Sequence, residues 1–159
     1  MSILKTCCDQ LQQHNLTIAF VESASSGYLC SQFSIYKNSG ADILLGGLVS
    51  YDPSVKREIL KIDNEIITAF TAESAEVTEA MAIHGHQLFK HADFVVACTG
   101  LLKPGGSATL EKPEGTFYIS ISFRGQTSNY HYFIEGTPLE RLNILTAHVA
   151  SNILNLIQQ

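Results

Sequence analysis

The run Thr17-Ile18-Ala19-Phe20-Val21, broken off at once by Glu22-Ser23-Ala24-Ser25-Ser26-Gly27, constrains this chain more than any other feature. The first part is short, apolar and rich in β-formers, and reads as a buried strand. The second part is all small or polar and reads as a turn. Tyr28, Leu29, Ser31, Gln32, Phe33 and Ile35 then suit a helix. Strand, small-residue turn and helix in that order are the unit from which parallel α/β sheets are built.

The rest of the chain extends the pattern. Ile3, Leu4, Cys7, Cys8 and Leu11 recur at helical spacing, and Asn15 is placed to close that helix. Lys37-Asn38-Ser39-Gly40 reads as a loop, and Ile43 to Tyr51 as a second strand in which Gly46 and Gly47 let another group approach the backbone. Asp52-Pro53 opens a short helix carrying Val55, Lys56, Ile59 and Leu60. Thr71 to His91 reads as a helix with Ser74 as a cap, and Asp93 to Gly100 as a third strand. Lys103-Pro104-Gly105-Gly106-Ser107 reads as a loop. Gly115–Phe123 and Ser128–Ile134 read as an antiparallel pair turning near Arg124-Gly125. Thr137-Pro138 opens a last helix with Leu142, Leu145, Val149, Ile153 and Leu156 on one face. The expectation is one α/β domain over residues 1–159, a three-layer helix–sheet–helix with a mixed, mostly parallel sheet.

Composition narrows the function. Hydrophobic residues make up 45% of the 159 and charged residues 16%, enough apolar material for a real core. A net charge of −5 argues against nucleic acid or an anionic membrane as a partner. No stretch approaches a membrane span, and the segment Met1 to Thr6 lacks a signal-peptide run. Cys7, Cys8, Cys30 and Cys98 show no CxxC spacing, so the plain reading is free thiols in a reducing cytosol, without zinc. His84, His86 and His91 share a helix without HxxxH spacing, and metal binding is not expected.

In open α/β sheets ligands bind beyond the carboxyl ends of the strands. The three parallel strands should end at Glu22-Ser23, Ser50-Tyr51 and Thr99-Gly100, bringing hydroxyls, a phenol and glycines to one crevice. The turn Glu22–Gly27 is either an anion-binding helix start or simply a capped turn. It is not a Walker loop, and no GxGxxG follows the first strand, which disfavours a dinucleotide-binding redox domain. Lys56 is a base for a serine if its pKa is lowered; taken alone it reads as an ordinary solvated lysine. Glu73, Glu76 and Glu79 read as negative charge near a helix start.

The ordered set of Glu22-Ser23 with Gly27, Gly46-Gly47, Ser50-Tyr51 with Lys56, Thr99-Gly100, Pro104-Gly105-Gly106 and Lys112-Pro113-Glu114-Gly115-Thr116 resembles the CinA carboxy-terminal domain family over nearly the whole chain. Active members of that family hydrolyse nicotinamide mononucleotide to nicotinic acid mononucleotide and ammonia, and larger two-domain relatives carry an amino-terminal domain as well. The resemblance implies Ser23 as nucleophile, Lys56 as base and Tyr51 as a relay or orienting group. It implies that the turn after Ser23 offers N–H groups to an oxyanion, and that Ser25, Ser26, Gly27, Gly46, Gly47, Thr99, Gly100, Pro104, Gly105 and Gly106 hold the nucleotide. It implies no metal or organic cofactor, a cytoplasmic homodimer and a small-molecule nucleotide substrate.

The sequence departs from the family pattern at defined places. Ala24, Ser25 and Ser26 stand where the family has Cys, Thr and Gly. Leu101-Leu102-Lys103 fills the middle of a small-residue motif. Phe70-Thr71-Ala72-Glu73-Ser74 stands for His-Gly-Ala-Val-Ser, and Gly136-Thr137-Pro138 for Gly-Asp-Arg. The reading is an amidase acting on nicotinamide mononucleotide; the alternative is a catalytically silent relative that binds a nucleotide or a protein partner.

Overall fold

The structure, a computed structural model, describes residues 2–36 and 42–159. The loop expected at Lys37–Gly40 lies outside the described residues. In chain order the elements are α1 (Ile3–Gln13), β1 (Ile18–Glu22), α2 (Tyr28–Ile35), β2 (Leu44–Val49), α3 (Pro53–Glu58), α4 (Asn64–Phe70), α5 (Ala75–Leu88), β3 (Phe94–Gly100), β4 (Thr116–Phe123), β5 (Gln126–Phe133) and α6 (Pro138–Gln158). They form a mixed five-stranded sheet of order β2-β1-β3-β4-β5. β1 pairs in parallel with both β2 and β3, while β4 and β5 continue the sheet antiparallel.

Both faces of the sheet are covered, so the central strands read as unbroken apolar runs rather than alternating ones. Ile18 and Phe20 of β1 pack with α1, α2 and α6 through Leu11, Phe33, Leu145 and Val149. Ala19 and Val21 point the other way, toward Val77, Met81 and Ala82 of α5 and Ile67 of α4. Helix α5 lies close against β1 because Gly85 has no side chain: a Cβ there would stand 2.5 Å from Val21.

The helix starts follow capping chemistry. The Asp52 carboxylate accepts from Ser54 N–H with Pro53 in the first turn, Ser74 Oγ accepts from Val77 N–H, and Thr137 Oγ1 accepts from Glu140 N–H. The hairpin β4–β5 turns on Arg124 (φ 53°) and Gly125 (φ 75°), the left-handed pair that a two-residue hairpin requires. One expectation is corrected. The helix read over Thr71–His91 is shorter, α5 running from Ala75 to Leu88; a separate helix not read in the sequence, α4, ends at Phe70, and Thr71, at φ 69° and ψ 159°, turns the chain before Ser74 caps α5. A β-branched residue rarely adopts that conformation, so the turn at Thr71 leaves no mark in helical periodicity, although the Ser74 cap does mark the start of α5.

Candidate functional site

Strand β1 delivers Glu22 and Ser23 to the carboxyl edge of the sheet, where β2 and β3 also end. Ser23 N–H donates to Cys98 O at 2.9 Å and Ser50 N–H to Glu22 O at 2.8 Å, which fixes the three strand tips against one another. The Glu22 carboxylate is buried and turned under the start of α2. It accepts from Leu29 N–H and Cys30 N–H, both at 2.9 Å, and so takes up orphan donors of the first helical turn. Glu22 is thereby a structural anchor of the turn. Ser26 (φ 49°) and Gly27 (φ 94°) both lie in the left-handed region, and Ser26 N–H closes the bend onto Ser23 O at 3.0 Å.

Lys56 enters from α3. The Asp52–Pro53 start aims the first turn of this helix so that the Lys56 side chain runs inward, and the residue is 0% exposed. The solvated lysine read from the sequence alone is thus overturned. Its Nζ lies 3.0 Å from Ser23 Oγ and 3.4 Å from Tyr51 O, and donates also to Ser50 O. Burial pulls its pKa from an ordinary 10.5 to about 8, with the charges of Glu73 and Asp52 opposing the fall. With two protons directed to backbone carbonyls, the lone pair of a neutral amine faces Ser23, and the serine proton has somewhere to go.

Ser23 opens on a cavity of ≈ 150 Å³. Ala24, Tyr51, Glu73 and the run Gly100 through Gly106 line it, Gly100 being the last residue of β3. Tyr51 is half-exposed and borders the cavity, while its contact with Lys56 is made through the backbone carbonyl. Ser25 is turned to the Cys98 thiol, whose pKa burial pushes up to about 12. Among the described residues, Ala24 N–H has no hydrogen-bond partner and stands beside Ser23 at the cavity wall.

The residues singled out in the sequence therefore fall into two sets. Ser23, Tyr51, Gly100, Pro104, Gly105 and Gly106 border the cavity, with Lys56 directly behind Ser23. Ser25, Ser26, Gly27, Gly46, Gly47 and Thr99 do not border it. Thr99 points to the other face of the sheet, its hydroxyl 2.8 Å from that of Thr78. Gly47 is a packing position, where a Cβ would stand 3.2 Å from both Cys30 Sγ and Phe20 O.

Three further residues shape the site and were given no part in it by sequence reasoning. Glu73 lines the cavity, and its Oε2 accepts from Ser107 Oγ at 2.7 Å. Lys112 Nζ donates to Thr71 Oγ1 at 2.7 Å and Glu73 O at 2.8 Å. Arg141, buried in α6, donates to Ile134 O and Leu102 O at 2.9 Å and to Glu114 Oε2 at 2.6 Å. Together they strap residues 101–114 across the cavity. Among the described residues no cluster of histidine, cysteine, aspartate or glutamate could hold a metal ion, and no helix is long and apolar enough to cross a membrane.

Fold and site define an α/β domain whose strand tips hold a serine hydroxyl against a buried amine. A family model described as the CinA C-terminal domain matches residues 1–159. A CinA-like protein of Prochlorococcus marinus (strain AS9601) is 37% identical over 150 residues, which are 93% of this chain and 35% of that protein. A putative competence-damage inducible protein of Moorella thermoacetica is 37% identical over 73% of this chain and 27% of its own length. The crystal structure of competence damage-inducible protein A from Klebsiella pneumoniae superposes with a TM-score of 0.89 at 20% identity, covering 100% of this chain and 99% of that one. A CinA superfamily protein from Escherichia coli gives 0.86 at 22% identity, over 97% and 88%. At such identities the structural likeness speaks for the fold. The chain belongs to the CinA C-terminal domain family, and it spans about a third of the length of the two sequence relatives described.

Proposed function

We propose that this domain hydrolyses a small carboxamide, with nicotinamide mononucleotide as the substrate and nicotinic acid mononucleotide and ammonia as products. The observation that carries the reading is the 3.0 Å contact between Ser23 Oγ and a lysine amine kept out of water. In the first step the Ser23 oxygen bonds to the amide carbon while neutral Lys56 takes the serine proton. The carbonyl electrons move to its oxygen, and Ala24 N–H is the donor that meets the oxyanion, a contribution often worth about 3 kcal/mol. The intermediate collapses to an acyl-serine; the C–N bond breaks and Lys56 returns the proton to the departing ammonia. Water then attacks the acyl carbon, giving up a proton to Lys56 and restoring Ser23 as the acid leaves.

The volume suits the carboxamide end of a ligand, with the remainder extending through the mouth. Lys103 is exposed there, at a place where a phosphate would meet a cation. Tyr51 borders the reacting carbon from the solvent side and orients the amide.

The test is ammonia release from nicotinamide mononucleotide by the wild type and by Ser23→Ala. Turnover by the wild type that Ser23→Ala abolishes is the expected result. A folded wild type without turnover overturns the reading. Calorimetric binding of the nucleotide without hydrolysis would then leave the silent relative in its place, a reading favoured by the bulk of Leu101 and Leu102 in the cavity wall.

A further inference from the structure

Glu73 is a carboxylate that lines the same cavity of ≈ 150 Å³ as the nucleophile Ser23. The backbone turn at Thr71 and hydrogen bonds from Lys112 and Ser107 hold it there. Thr71 adopts a strained conformation that turns the chain toward the cavity, Lys112 clamps the Thr71 hydroxyl and the Glu73 carbonyl, and Ser107 fixes Oε2. The other carboxylate oxygen, Oε1, accepts no hydrogen bond from the described residues and faces Gly106, where a Cβ would stand 3.8 Å away. Glu73 is half-buried, so this oxygen is open to solvent and can exchange water for a donor carried by a ligand in the cavity.

A carboxamide supplies it. When its carbonyl oxygen is turned to Ala24 N–H and its carbon to Ser23, its NH2 group is left in the cavity that Glu73 also lines. The acid product has no such donor: both of its oxygens are acceptors, and it is charged. We propose that Glu73 is a specificity-determining residue of this site, taking a hydrogen bond from the substrate NH2 and disfavouring the carboxylate product. The inference rests on the proposed amidase reading and adds a device to it. The site discriminates amide from acid by an acceptor that only the amide can satisfy, and the same acceptor drives product out. Lys103, the other charged side chain on the cavity wall, is exposed at the mouth and meets a part of the ligand that amide and acid share.

The experiment measures binding of nicotinamide mononucleotide and nicotinic acid mononucleotide by calorimetry in Ser23→Ala protein, with and without Glu73→Gln. A second variant, Ser107→Ala, keeps the carboxylate and removes only the hydroxyl that holds it, so the proposal is tested even where Glu73→Gln fails to fold. The expected result is amide preferred over acid by about tenfold with Glu73 present, narrowing to within about threefold in Glu73→Gln. Ser107→Ala keeps the sense of the preference, and Lys103→Ala weakens both nucleotides in parallel. A preference that Ser107→Ala reverses, or an amide-to-acid ratio that Glu73→Gln leaves unmoved, overturns the inference alone, provided the wild type turns the amide over. If neither nucleotide binds at millimolar concentration, the functional reading falls and the inference falls with it.

Discussion

The strand-tip side of the cavity and the strap that faces it are held by different means. Ser23, Ser50 and Cys98 sit at the ends of hydrogen-bonded strands, and Lys56 is fixed by contacts with Ser23 Oγ, Ser50 O and Tyr51 O with no exposure. The strap contains no helix or strand. From Lys103 to Gly106 it is exposed, and Gly105 and Gly106 adopt φ of 105° and 61°. Its base is pinned by backbone hydrogen bonds of Leu101 with Thr116 and Gly115, and its middle is attached through Arg141, Lys112 and Ser107. The difference separates two tasks. Reacting groups need positions fixed to within a fraction of an ångström, which a sheet edge supplies. The opposite wall has to admit and release a ligand, and a loop tethered by a few side chains can do so.

The sharpest way to break this division is Lys56→Met. Because the lysine is the base and is already buried, its loss should lower kcat/KM by about 10²- to 10⁴-fold while the protein still folds. The double variant with Ser23→Ala should be no worse than either single variant, since the two residues act as a unit. The wild type carries a matching signature. Only the neutral amine is a base, so kcat/KM should rise with pH through a midpoint near the Lys56 value of about 8 and then level. The sign for stability agrees: between about 8 and 10.5 the unfolded chain holds a proton that the folded chain has lost, so Lys56 makes the fold more stable as pH rises across that window. An alkaline midpoint near the ordinary lysine value would mean that Lys56 is solvated.

The strap should respond in the opposite manner. Arg141 supplies donors to Ile134 O, Leu102 O and Glu114, and Leu102 borders the cavity. Arg141→Leu leaves those acceptors without their partner and should lower stability by about 2–3 kcal/mol. Its kinetic effect should fall on KM more than on kcat, because the strap positions the ligand and the strand tips do the chemistry. Thermal unfolding alongside steady-state kinetics checks both. A loss confined to kcat, with KM unchanged, would erase the distinction between the two walls.

The same division sets what could be read in the sequence. The strand–turn–helix at Thr17–Ile35 was legible because each piece has local causes: β-formers, small turn residues and helical spacing. Ser74 and Thr137 as caps, and the turn at Arg124-Gly125, were legible for the same reason. The burial of Lys56 was not, since the charge of a lysine predicts exposure and only the packing of α3 against the strand tips reverses it. Glu73 read as helix-start charge because its place depends on the break at Thr71, a tertiary event that leaves no periodic trace. The reach of Lys112 and Arg141 spans 39 residues in each case, to Glu73 and to Leu102, beyond any local pattern. Thr99 shows the remaining difficulty. Strand alternation sends neighbouring residues to opposite faces, so Gly100 borders the cavity and Thr99 meets Thr78.

The smallest expected effect concerns the turn itself. Ser26 sits at φ 49°, and its backbone N–H closes the bend onto Ser23. A non-glycine residue there carries a steric cost of about 1–2 kcal/mol. Glycine removes that cost but loses more freedom on folding, about 0.5–1 kcal/mol. The side chain of Ser26 is exposed and the closing hydrogen bond comes from the backbone, so Ser26→Gly forfeits no contact in the turn. The net should be a gain of about 0.5–1 kcal/mol in unfolding free energy, measured by denaturant titration. Ser26→Ala keeps the Cβ and should show no gain. If glycine gave no more stability than alanine, the turn would not be held against its preference, and the rigidity assigned to the strand-tip wall would have to come from elsewhere.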